Sequence, residues 1–184
     1  MKTKVVLFCA ILVLTGVLTA QETRREVVNA SPKPEMDSKP NSDKVPDAYA
    51  IPARFDRVLV LRFKYDTDLL AGLEKMVKQE KIKNAVILSG AGSVRSYHLH
   101  SVSNGTFPSK NVFVKNPTGP ADLISMNGYV ITGQVHAHVT LANADKAFGG
   151  HLEPDTRVFT FAIITLGVLN DDADLSRVDD KSYR

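Results

Sequence analysis

The chain has 184 residues, 43% hydrophobic and 23% charged. That is close to the average of globular domains and excludes a wholly disordered chain, a collagen-like repeat and a multi-span membrane protein. One cysteine, Cys9, and no tryptophan exclude a disulfide scaffold and a cysteine-rich zinc ribbon, and a formal net charge of +3 is small for a protein held to nucleic acid by phosphate neutralisation.

Residues 1–20 begin with Lys2 and Lys4 and continue as an apolar run from Val5 to Ala20. As a helix at 1.5 Å per residue the run spans about 24 Å, short of a bilayer core of about 30 Å. It reads as a secretory signal cut near Ala20, with an uncleaved anchor as the alternative. The expected mature protein is periplasmic or secreted and has no stable membrane span. It has no cysteine, which suits an oxidising compartment, and without Lys2 and Lys4 its formal charge is +1. Residues 21–52 are polar, with prolines at 32, 34, 40, 46 and 52, and read as a disordered linker. Residues 53–170 form the folded domain. Residues 171–184 hold five aspartates and read as a solvated acidic tail.

Within the domain, Val58 to Phe63 is a strand-like apolar run. Asp66 or Thr67 can cap a helix whose stripe is Leu69, Leu70, Leu73, Met76 and Val77. Ala85 to Leu88 is a buried strand that Ser89-Gly90-Ala91-Gly92 closes. Val94 to Val102 alternates, with Ser96, His98 and His100 on one face and Tyr97 and Leu99 on the other. Val112 to Val114 is a short run in a turn-rich stretch. Leu123 to Ile131, with a break allowed at Gly128, Val135 to Leu141, and Val158 to Leu169 complete the strands. One helix and six or more strands predict an α+β domain with a mixed, mostly antiparallel sheet and the helix packed on it.

All five histidines fall between positions 98 and 151. In His136-Ala137-His138 the outer two share a strand face, with Cα atoms roughly 6.5–7 Å apart. Two imidazoles so placed can reach one metal at about 2.0–2.1 Å. Gly149-Gly150 allow a turn that returns His151 to that face. Three histidines with an open fourth position suit a divalent metal, zinc above all; the same spacing also fits strand-edge histidines that are only hydrogen-bonded. A histidine must be neutral to bind, so affinity should fall below a pKa of about 6.5. His98 and His100 share a face but have no third ligand near them in sequence. Glu153, two residues beyond His151, and His98 are the acid/base candidates. Ser89-Gly90-Ala91-Gly92 is not followed by a helical pattern and fails as a dinucleotide loop. No GxSxG elbow occurs.

The blocks AVILSGAGS (85–93), GPADLISMNG (119–128) and VHAHVTLANADKAFGGHLEPD (135–155), in that order, resemble the PPC domain, the plants and prokaryotes conserved domain also called DUF296. The resemblance implies an α+β fold with a partly open, barrel-like sheet, and a homotrimer. It also implies metal binding through the residues here numbered His136, His138 and His151. Plant members of that family act on DNA through AT-hooks; no Arg-Gly-Arg-Pro hook occurs here, so DNA is not the expected partner. The expected function is an exported trimer that binds a divalent metal. The alternatives are a metal-dependent lyase or hydrolase acting on a small polar molecule, which would be its ligand, and a DNA-binding PPC protein.

Overall fold

The structure is a computed structural model that describes residues 23–37, 46–176 and 178. The expected signal segment lies outside the described residues. Among those described, no helix is long and apolar enough to cross a membrane.

The elements in chain order are β1 (Arg24–Asn29), a short 3-10 turn (Pro34–Asp37), β2 (Phe55–Lys64), α1 (Leu69–Gln79), β3 (Ala85–Val102), β4 (Lys110–Asn116), β5 (Ala121–Ile131), β6 (Gln134–Ala142), β7 (Ala147–Leu152) and β8 (Arg157–Leu169). Among the described residues, one helix and eight strands make the α+β domain that the alternation of periods predicts. The sheet is not mixed: every pairing between these strands is antiparallel.

β3 organises the sheet. Its first half pairs with β5 on one edge and β8 on the other. Its second half pairs with β4 and β7. β6 joins β5 to β7, so β3, β5, β6 and β7 close a ring of strands. β2 extends the sheet beyond β8, and β1 beyond β4.

The Ser89–Gly92 segment does not close a strand; it lies inside one. A Cβ on Gly90 would overlap the Met126 side chain of β5, and one on Gly92 the Phe161 carbonyl of β8. Both glycines are there for close strand approach, and Gly92 has φ 151°, which favours glycine. Residues 24–29, expected within a linker, form β1 on the edge of β4. Only Val27 and Val28 are apolar there, and five of the six residues are exposed, so the period is too weak to read in sequence.

The helix is capped by Asp68 rather than Asp66 or Thr67. Its carboxylate accepts from the Ala71 N–H at 3.1 Å, filling one of the orphan donors of the first turn. Leu69, Leu73 and Val77 recur at helical spacing and are buried in one core with Leu99, Met126, Ala137, Val139, Leu141, Leu152 and Ile164. A second small cluster joins Leu169, Ala173 and Leu175. Thus the first residues of the expected solvated tail are packed: buried Asn84 donates to the Ala173 carbonyl at 2.7 Å and accepts from the Thr132 N–H at 3.0 Å.

Candidate metal centre

Alternation on β6 decides which histidines meet. Ala137 and Val139 are buried, so His136 and His138 point out of the core on the opposite face. On β3, Tyr97 and Leu99 are buried, and His98 and His100 face outward. Register then assembles a row. Phe113 on β4, His100 on β3, His151 on β7, His138 on β6 and Asn127 on β5 are successive cross-strand partners. Tyr129 stands opposite His136.

The rings of the three expected ligands lie side by side, while the group whose donor atoms all fall within 4.8 Å of one another, among the described residues, is His100, His151 and Glu153. The ring centroids of His136 and His138 are 5.3 Å apart, those of His136 and His151 4.9 Å, and those of His138 and His151 5.3 Å. The Nε2 atoms of His136 and His138 are 3.3 Å apart. Two nitrogens bound tetrahedrally at about 2.0–2.1 Å to one zinc are separated by about 3.3–3.4 Å. This pair is spaced as ligands of one ion are.

The glycine pair does its work differently from the expected turn. The turn is at Asn143–Lys146, where the Asn143 side chain accepts from the N–H groups of Asp145 and Lys146, each at 3.0 Å. Gly149 and Gly150 lie within β7. A Cβ on Gly149 would overlap the Val139 carbonyl, and one on Gly150 the His100 carbonyl. The two glycines let β7 fit between β6 and β3, which delivers His151.

His100 joins the site, which its sequence neighbours do not reveal. Its ring stacks on His151 with centroids 4.6 Å apart. Its Nδ1 lies 2.5 Å from Glu153 Oε1, and His151 Nδ1 lies 3.6 Å from the same oxygen. Donor atoms of His100, His151 and Glu153 all fall within 4.8 Å of one another. His151 Nδ1 is buried and has no hydrogen-bond partner. His98 is turned elsewhere: its Nδ1 is 3.0 Å from the Pro154 carbonyl and its ring faces Phe113 at 5.8 Å.

The segment carrying Glu153 is pinned. The Glu153 N–H donates to the His98 carbonyl at 3.1 Å. The Asp155 N–H donates to Asp68 at 2.6 Å, and Ser96 donates to the Asp155 carbonyl at 3.0 Å. Lys115 pairs with the Asp155 carboxylate and holds its pKa below the usual value.

Burial lowers the pKa of His151 to about 4, helped by His100 and His136 and opposed by Glu153. Burial, then His136 and His100, also lowers that of His138. Both are neutral at physiological pH, the form that binds metal. The pH below which His151 charges therefore sits well under the 6.5 expected from an unperturbed ring. Beside the pair lies a cavity of about 530 Å³, lined by Val86, Ile87, Asn127, Tyr129, His136 and His138 among others.

Fold and site together define a small, all-antiparallel α+β domain with a histidine row on an outer sheet face. Residues 51–170 match the family model of the Plants and Prokaryotes Conserved (PCC) domain, and the chain belongs to that family. A metal-containing protein of Archaeoglobus fulgidus is similar at 24% identity with a TM-score of 0.55, covering 68% of this chain and 89% of that one. A plant- and prokaryote-conserved protein of Pyrococcus horikoshii is similar at 25% identity and a TM-score of 0.53, covering 67% and 85%. A Bacteroides thetaiotaomicron protein proposed to bind DNA is similar at 17% identity and a TM-score of 0.49, covering 67% and 85%. Among curated proteins, the bifunctional protein GlmU of a Synechococcus strain is 24% identical over 141 residues, 76% of this chain. The chain spans about a fifth of the length of that relative, 22%.

Proposed function

We propose that this protein is an exported, homotrimeric PPC-domain protein that holds one divalent metal, zinc by its donor set, on His136, His138 and His151. The observation that carries the metal is the 3.3 Å separation of the two Nε2 atoms. Nitrogen-only donors on a sheet face suit zinc. A metal with three protein ligands keeps an open position and supplies Lewis-acid chemistry or a water of lowered pKa.

Trimer formation is supported by the outer face of β2, β8 and β3, where Val58, Val60, Leu88, Phe159, Phe161 and Ile163 are exposed. A patch of that kind on a soluble domain marks a contact surface. Export rests on Lys2, Lys4 and the apolar run before Ala20. A metal-dependent lyase or hydrolase is the second reading, favoured by the cavity beside His136 and His138. Its partly apolar lining points to a ligand with an apolar part as well as a polar head.

One preparation tests the main reading: untagged protein from its native host. Elemental analysis is expected to give one zinc per chain, and intact mass an N-terminus at or near Gln21. His138→Ala removes a ligand from the surface of the sheet and leaves Ala137 and Val139 in the core. It should lose most of the metal and remain folded. Equal metal content in wild type and in all three histidine-to-alanine variants would overturn the metal reading. Sub-micromolar binding of duplex DNA at physiological salt, with the steep salt dependence of phosphate contacts, would favour the DNA reading instead.

A further inference from the structure

We propose that Glu153, anchored by His100, is the positioning residue that fixes which nitrogen of His151 faces the metal. This rests on the metal reading above and adds two residues to it.

Two groups of donors meet at His151, and distance separates their roles. His136 Nε2 and His138 Nε2 are 3.3 Å apart, the spacing of two nitrogens on one tetrahedral ion. His100 Nδ1 and Glu153 Oε1 are 2.5 Å apart. That is too short for two ligands of one ion at about 2 Å from each. It is a direct hydrogen bond, shorter than the roughly 2.7–2.9 Å usual for a charge-assisted N–H···O pair. At these distances the first pair is spaced as two metal ligands and the second as a hydrogen-bonded pair, while donor atoms of His100, His151 and Glu153 also fall within 4.8 Å of one another.

His151 stands between them. A neutral imidazole has one N–H and one lone pair. Its Nδ1 is buried, has no partner, and lies 3.6 Å from Glu153 Oε1. If Nε2 gives its lone pair to the metal, Nδ1 carries the hydrogen and needs an acceptor. Glu153 Oε1 is in place and needs to close by roughly 0.7 Å to reach the usual 2.9 Å. A carboxylate oxygen has a second lone pair, so it can accept from His100 and His151 together. Metal-bound histidines commonly donate their other N–H to a carboxylate in this way, and loss of that partner costs about 10- to 100-fold in metal affinity. The backbone bonds of Glu153 and Asp155 hold the carboxylate where it can do this. The stacked His100 ring closes the other side.

The test is zinc affinity by competition with a chelator for wild type, Glu153→Ala, Glu153→Gln and His100→Phe, together with nitrogen NMR of the His151 ring. Circular dichroism of each metal-free variant checks that it is folded. Glu153→Ala should bind zinc about 10- to 100-fold more weakly. Glu153→Gln, which keeps an acceptor oxygen, should recover most of that loss, and His100→Phe should fall between them. In zinc-loaded wild type His151 should carry its hydrogen on Nδ1. In metal-free protein the Nδ1–H form should dominate in wild type and give way to a mixture in Glu153→Ala, a change that a purely structural role would not produce. Wild-type zinc binding with unchanged affinity in Glu153→Ala, or an Nε2–H His151 in the loaded protein, would overturn this inference and leave the metal reading standing. A folded wild type that binds no zinc would overturn both.

Discussion

His151 is the group through which acid reaches this site. Burial first, then His100 and His136, hold its pKa at about 4 against an ordinary 6.5, with Glu153 pulling the other way. The folded value lies below the unfolded one, so unfolding takes up a proton between the two. The resulting stabilisation is complete above pH 6.5 and is lost as the pH falls from 6.5 to about 4. At 1.36 kcal/mol per unit the whole shift corresponds to about 3 kcal/mol. Solvent still reaches 22% of the side chain, and screening reduces the effect to about 1–2 kcal/mol. For a domain of about 120 residues that is a fall in Tm of roughly 3–10 °C. The measurement is thermal unfolding of chelator-treated protein from pH 7.5 to 4.5, beside His151→Gln. The difference in slope reports His151 together with its coupling to the neighbouring His100, His136 and His138. The wild type should lose stability faster with acid by the amount given. Parallel curves would refute the burial argument. Zinc should raise the whole wild-type curve and steepen its fall, because protons compete with the metal for the same nitrogens.

Gly150→Ala places a methyl group on the His100 carbonyl, which is backbone and cannot swing aside. We expect a loss of about 1–3 kcal/mol from overpacking, read by urea unfolding, and a drop in zinc content because His151 moves with β7; wild-type stability and metal content would refute the close-approach reading. Val60→Glu puts a charge on the outer face, where Val60 is 69% exposed, so the monomer fold should tolerate it. Light scattering should then show a smaller particle than wild type, and an unchanged mass would remove this face from the subunit contact.

The histidine pair on β6 was legible because its cause is local: side chains at i and i+2 share a strand face whatever the strand pairs with. The same rule put His98 and His100 together on β3. It could not say which of them meets the site. That depends on the register of β3 with β7, where His100 lies opposite His151, a pairing between residues 51 positions apart in sequence. The register shifts within β3 hide it further, because a single inserted residue reverses the alternation that a pattern reading assumes. Glycine misled for a related reason. In sequence, Gly-Gly reads as a turn because glycine tolerates unusual φ. Here the pair is spent on closeness: β7 lies between two strands whose carbonyls occupy the space of the missing Cβ atoms. Turn glycines and contact glycines carry the same letter, and only the neighbouring strand tells them apart. The consequence is mechanical. His151 owes its place to Gly149 and Gly150, His136 sits where Gly128 lets β6 approach β5, and Glu153 is held by the helix cap Asp68 through the Asp155 N–H. The histidine row is therefore tied to the ring of strands and to the helix at once, and on the metal reading proposed above a change in either should be felt first as a loss of metal and only then as a loss of fold.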